Sequence, residues 1–83
     1  MRLLYFAWVR ERIGTGEEVV EPPEAVRTLA DLAEWLQGRS AGHAEALADL
    51  TRLRAAVDQR FVPLDSELGD ALEVAFFPPV TGG

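Results

Sequence analysis

Residues Arg2 to Val9 read RLLYFAWV, a β-rich run in which both alternating sets of positions are apolar. Successive side chains of a strand point to opposite faces, so Leu3, Tyr5, Ala7 and Val9 would share one face. Leu4, Phe6 and Trp8 would share the other, between Arg2 and Arg10. Such a strand belongs inside a sheet, and at least one of its faces needs a cover from elsewhere in the chain. That demand is severe in 83 residues without a cysteine. One hydrophobic core, with no disulfide framework, must suffice, so a single compact domain is expected.

The cover comes from the segment that follows. Gly14-Thr15-Gly16 marks a turn, and Glu17 to Glu21 (EEVVE) predicts a short second strand antiparallel to the first, ended by Pro22-Pro23. Thr28 and Asp31 have capping spacing, and Leu29, Leu32, Ala33 and Leu36 fall at i, i+3, i+4 and i+7. This stripe predicts the main helix, with Gly38 placed to end it in the left-handed conformation. A shorter helix is expected over His43 to Leu50, with Leu47 and Leu50 inward. From Arg54 the period returns to two: Ala55 and Val57 share a face, and Asp58-Gln59-Arg60 allows reversal into Phe61-Val62. Leu72 to Phe77 (LEVAFF) predicts a last strand, with Leu72, Val74 and Phe76 on one face and Phe77 on the other. One helical layer on one mixed sheet is the economical packing, an α+β domain of the β-grasp (ubiquitin-like) kind over residues 1–77.

Residues 78–83, Pro78-Pro79-Val80-Thr81-Gly82-Gly83, are expected to form an extended tail with a stiff base and a flexible tip. The prolines fix φ and cannot continue a sheet ladder. Gly82 and Gly83 carry no Cβ, so the last peptide and the α-carboxylate can enter a narrow active site. A free carboxylate is a poor electrophile. Activation as an acyl-adenylate supplies a leaving group that a sulfur nucleophile can displace, and the chain offers no nucleotide-binding loop of its own. ATP is therefore expected on a partner, with no cofactor bound here.

The closing segment Val74-Ala75-Phe76-Phe77-Pro78-Pro79-Val80-Thr81-Gly82-Gly83 resembles the C-terminus of the MoaD family, the small sulfur-carrier subunit of molybdopterin synthase. Tyr5-Phe6-Ala7-Trp8-Val9-Arg10-Glu11 and Ala55-Ala56-Val57-Asp58-Gln59 are similar to that family's first strand and central hairpin. Trp8 is bulkier than the family's usual residue, and Asp70-Ala71-Leu72-Glu73 departs from its common turn. The resemblance implies that Gly83 is adenylated by a ubiquitin-activating-type adenylyltransferase and converted to a thiocarboxylate. It then implies sulfur donation within the synthase, turning cyclic pyranopterin monophosphate into molybdopterin. The large subunit would carry the catalytic residues, in a heterotetramer with two copies of each subunit. Pro78, Pro79, Val80, Thr81 and Gly82 would lie in a large-subunit pocket.

Strand parity adds a docking expectation, because Phe6, Phe61 and Phe77 can share the sheet face away from the helix. Converging aromatics on a free face mark a partner surface. Family interface positions match these phenylalanines and also Arg10, a charged rim contact by resemblance.

Other features exclude more than they assign. Acidic residues outnumber basic ones 14 to 8, a formal charge of −6 that makes nucleic acid a poor partner. All the basic residues are arginines, so the chain cannot accept side-chain isopeptide bonds from its own kind. His43, the only histidine, has no companions at ligand spacing; a surface position and no metal are expected. Glu17, Glu18 and Glu21 are expected to face water on an edge strand. Trp35 is expected to pack on the core. No apolar run approaches the roughly 20 residues of a membrane span, and no leader is read at the start, so a soluble cytoplasmic protein is expected. Competing readings are a carrier for thiamine or cysteine biosynthesis, a ubiquitin-like modifier, and an inert β-grasp module.

Overall fold

A computed structural model describes residues 1–79. Its first strand, β1, is Arg2–Tyr5, shorter than the apolar run that announced it. The N–H of Phe6 still bonds the carbonyl of Phe76, and then Ala7 takes φ 53 and the chain turns into a helix, α1, over Ala7–Ile13. The expected strand to Val9 is thus corrected. Trp8 and Arg12 stand one turn apart on α1, and Val9 reaches the core from the helix, fully buried. Gly14, at φ 96, closes α1 in the left-handed region, its N–H bonded to the Arg10 carbonyl.

Strand β2, Glu17–Val19, pairs antiparallel with β1, Leu3 opposite Glu18. The main helix, α2, spans Leu29–Leu36 and opens on a reciprocal capping box: Thr28 Oγ1 accepts from the Asp31 N–H at 3.1 Å, and Asp31 Oδ2 accepts from the Thr28 N–H at 3.2 Å. Leu29, Leu32, Ala33 and Leu36 are buried as the stripe required. Gly38 does not end this helix in a left-handed conformation. The right-handed Gln37 is its C-cap, and the Gln37 side chain ties the turn to the Leu47 carbonyl at 3.0 Å. Helix α3 follows over Ala41–Leu47, starting earlier than expected because Ser40 caps it through the His43 N–H. Leu50 falls instead in a 3₁₀ turn, Leu50–Arg52.

The hairpin forms as read, with β3 at Arg54–Val57 and β4 at Arg60–Val62. Asp58 and Gln59 both take positive φ, 48 and 70, the twist that a two-residue antiparallel turn needs. Strand β5, Glu73–Phe77, starts after Leu72, which is 79% exposed and not on the core face. Asp58 Oδ1 accepts from the N–H groups of Leu72 and Glu73, both at 3.0 Å, and so directs the chain at that point.

The sheet order is β2-β1-β5-β3-β4, with β1 and β5 parallel and the other pairs antiparallel. The last strand in the chain therefore lies at the centre of a mixed sheet, the β-grasp arrangement. Leu3, Tyr5, Ala55, Val74 and Phe76 face the helices and make the core with Leu29, Leu32, Leu36, Leu47 and Leu53. Among the described residues no helix is long and apolar enough to cross a membrane.

Candidate functional site

Register fixes what lies on the other face of the sheet. Leu4 sits opposite Ala75, Ala75 opposite Ala56, and Ala56 opposite Phe61, so these side chains form a row across four strands. Phe77 is paired with Arg54 at the end of β5, and Phe6 follows directly on β1. Among the described residues no helix covers this face. Phe6 is 49% and Phe61 83% exposed, and the Phe61 and Phe77 rings meet at 5.6 Å between centroids, tilted by 55°. Leu4, Phe6, Ala56, Phe61, Ala75 and Phe77 together line one shallow apolar depression, open to solvent.

The structure thus gathers Phe6, Phe61 and Phe77, the aromatics that parity placed together. Arg10 is not among the residues lining the depression. It lies on α1 with its side chain over Gly16. Arg54, which the sequence did not single out, borders Phe77 and Phe61 instead. Its Nη1 is anchored on the Leu53 carbonyl at 2.8 Å. The signal that could have found it was the same parity that found Phe77, since a residue opposite Phe77 in an antiparallel pair must share its face. Pro78 and Pro79 are half-buried beyond the last ladder pair. Val80, Thr81, Gly82 and Gly83 lie outside the described residues.

On the helical side the structure holds a polar cluster that the sequence concealed. His43 is buried at 7% exposure, not on the surface as expected. Its Nε2 meets Glu18 Oε2 at 2.6 Å, its Nδ1 meets Ser40 Oγ at 2.7 Å, and the Tyr5 hydroxyl donates to the same Glu18 oxygen at 2.7 Å. Arg39 completes the group at 3.4 Å from Glu18 Oε1. Burial opposes ionisation of Glu18, but the hydrogen bonds from His43 and Tyr5 and the nearby positive charges outweigh it, holding the carboxyl below its ordinary range. Burial, with the Glu18 hydrogen bond and charge, pushes the Tyr5 phenol up. Of the expected solvent-facing glutamates, Glu17 is exposed and paired with Arg2 at 3.1 Å, whereas Glu18 is an internal link between β2 and α3. Among the described residues no buried side-chain polar atom lacks a partner, so the cluster is fully satisfied and ties β2, α3 and β1 together.

The structure presents an exposed apolar face that ends at Phe77, the last residue of β5. The family model described as the ThiS family matches residues 3–83. The "Molybdopterin synthase sulfur carrier subunit" of Escherichia coli is 43% identical over 83 residues, covering all of this chain and 99% of that protein. Among solved structures, the "Putative molybdopterin converting factor, subunit 1" of Pyrococcus furiosus superposes with a TM-score of 0.73 at 33% identity, covering 95% of each chain. SAMP1 of Haloferax volcanii superposes at 0.71 over all of this chain and 98% of its own, and at 24% identity it speaks to the fold alone.

Proposed function

Because this chain belongs to the ThiS family, we propose that it is the sulfur-carrier subunit of a molybdopterin synthase, acting through the carboxylate of Gly83. The observation that carries the reading is the continuity between the apolar face and the tail. Phe77 is both the last residue of the central strand and a wall of the depression, so docking that face sets the starting point of the Gly-Gly end. The full-length likeness to the Escherichia coli carrier supports the same reading.

In this reading an adenylyltransferase of the ubiquitin-activating type transfers AMP from ATP to the Gly83 carboxylate and releases pyrophosphate. A persulfide then displaces AMP to give an acyl disulfide, and a thiol cleaves its S–S bond, leaving the thiocarboxylate on Gly83 and a disulfide between the thiol and the former donor. The chain supplies position, and its partners supply nucleotide binding and catalysis. The large synthase subunit receives Pro78 to Gly83 in its pocket and uses the sulfur to convert cyclic pyranopterin monophosphate to molybdopterin, two copies of each subunit making the complex.

Intact-mass spectrometry of the purified chain, after incubation with the adenylyltransferase, ATP, a persulfide donor and a thiol reductant, checks this directly. Replacement of one terminal oxygen by sulfur is expected, and deletion of Gly83 abolishes it while leaving the thermal midpoint unchanged. An unaltered mass rejects the carrier reading. Recovery of lysine-linked conjugates would move the protein to the modifiers, and a different sulfur acceptor in a pull-down would move it to thiamine or cysteine biosynthesis.

A further inference from the structure

The arginines are not evenly spread. Among the described residues Arg2 and Arg39 are paired with glutamates, and of the six arginines that are not, four are Arg10, Arg12, Arg52 and Arg54. These four sit at the same end of the molecule. Arg54 opens β3 opposite Phe77, and Arg52 closes the 3₁₀ turn just before it. Arg12 is on α1, the helix that leaves β1 beside Phe76. The guanidinium carbons of Arg12 and Arg52 lie 5.1 and 5.0 Å from the Trp8 ring centroid, so one indole holds both cations at the surface. Of the carboxylates nearest in sequence, Asp49 accepts from the N–H and hydroxyl of Thr51 and feels the Arg52 charge without closing an ion pair with it, and among the described residues Glu11 is exposed without an ion pair.

Like charges gathered in this way repel, and in a chain of net charge −6 nothing about solubility requires them. They are also ordered in advance, by Trp8 and by the backbone carbonyls of Leu53 and Thr51 under Arg54. Ordering before contact lowers the entropy lost on binding. A guanidinium fork fits a carboxylate with two parallel hydrogen bonds. Six residues follow Phe77, a reach of at most about 20 Å. When that length is inserted in a pocket, the mouth of the pocket must rest against the end of β5, where these arginines stand. The reacting terminus is then too far away for them to touch its phosphate.

We infer that Arg12, Arg52 and Arg54 form a basic collar around the tail exit that pairs with aspartates and glutamates at the mouth of the protein pocket receiving the tail. This rests on the carrier reading and names the chemistry of its partner surface. Oppositely charged surfaces at the mouth raise the encounter rate, while the apolar face supplies the lasting contact.

Stopped-flow association of the full chain with the purified large synthase subunit, at low and high salt, tests it. The Arg12→Glu/Arg52→Glu variant should associate about tenfold more slowly at low salt. Its rate should also depend less on salt. The Arg27→Glu/Arg60→Glu variant carries the same change in net charge but alters arginines outside the collar, and it should keep most of the rate. If the charge reversal disturbs folding, Arg12→Gln/Arg52→Gln carries the test, with a smaller loss of the same kind. Equal rates and equal salt slopes for the collar variant and the wild type overturn the collar and leave the carrier reading standing. A wild-type chain that neither binds the large subunit nor acquires sulfur overturns both.

Discussion

Glu18 shows how much one side chain can hold together. It joins β2 to α3 through His43, to β1 through the Tyr5 hydroxyl, and to the α2–α3 connection through Arg39. Replacing it with alanine leaves the buried His43 Nε2 and the Tyr5 hydroxyl without their acceptor, a loss of about 2 kcal/mol, read as a lower urea midpoint. The pH dependence has a definite sign. Because the folded state lowers the Glu18 pKa, its contribution is complete above the ordinary glutamate value of about 4.3. It is lost as the pH falls through the lower folded value. Unfolding free energy should therefore fall more steeply with acidification in the wild type than in Glu18→Gln, and equal slopes would show that Glu18 does not carry this linkage. No pattern in the sequence announced the cluster. Glu18 and His43 are 25 residues apart, and a lone histidine after a serine reads as surface until the fold brings a carboxylate to it.

At the scale of elements, short-range chemistry was legible and handovers between elements were not. The Thr28–Asp31 cap and the apolar stripe behind it are complete within a few residues, so α2 formed where the spacing placed it. The β3–β4 hairpin was likewise readable from alternation broken by Asp58-Gln59. The segment after Tyr5 was misread because its apolar residues satisfy a strand and a helix equally. What decides is the left-handed turn at Ala7 together with Gly14, with Arg10 and Arg12 in the last turn of α1, where basic side chains suit the helix dipole. The outer sheet face was legible from parity alone, whereas Arg54 was not, because its place opposite Phe77 depends on the β3–β5 register, which the sequence does not fix. A further handover is enforced by Gly42: a Cβ built there would run into the carbonyl of Arg12, where α3 meets the end of α1. Alanine usually gains up to about 1 kcal/mol over glycine inside a helix. Here the obstacle is backbone, not a pliable side chain, so overpacking of about 1–3 kcal/mol wins. Gly42→Ala should lower the thermal midpoint, and an unchanged or raised midpoint would mean that α1 moves aside freely.

The whole molecule is a sheet with two apolar faces and cover for only one. The helices bury Leu3, Tyr5, Val74 and Phe76, while on the other face Phe6 and Phe61 stay exposed around the small Ala56 and Ala75. Phe77→Asp therefore separates docking from folding. In the free chain the new carboxylate meets water at a half-exposed position, and the change in stability should be small. In a complex it is a buried, unpaired charge, costing about 3–5 kcal/mol, or at least a hundredfold in affinity for the large subunit by calorimetric titration. Undiminished affinity would remove this face from the interface.

The strand order has one more consequence, and it concerns how the protein is made. β1 with β2 and β3 with β4 are local pairs, but only β5 joins them, and it leaves the ribosome after the other four. Until then the nascent chain holds hairpins with no common sheet, and pairings this distant in sequence close slowly. A polypeptide cut short before Phe77 thus cannot assemble its centre, so translation that stops early should yield fragments for proteolysis and not a smaller folded domain.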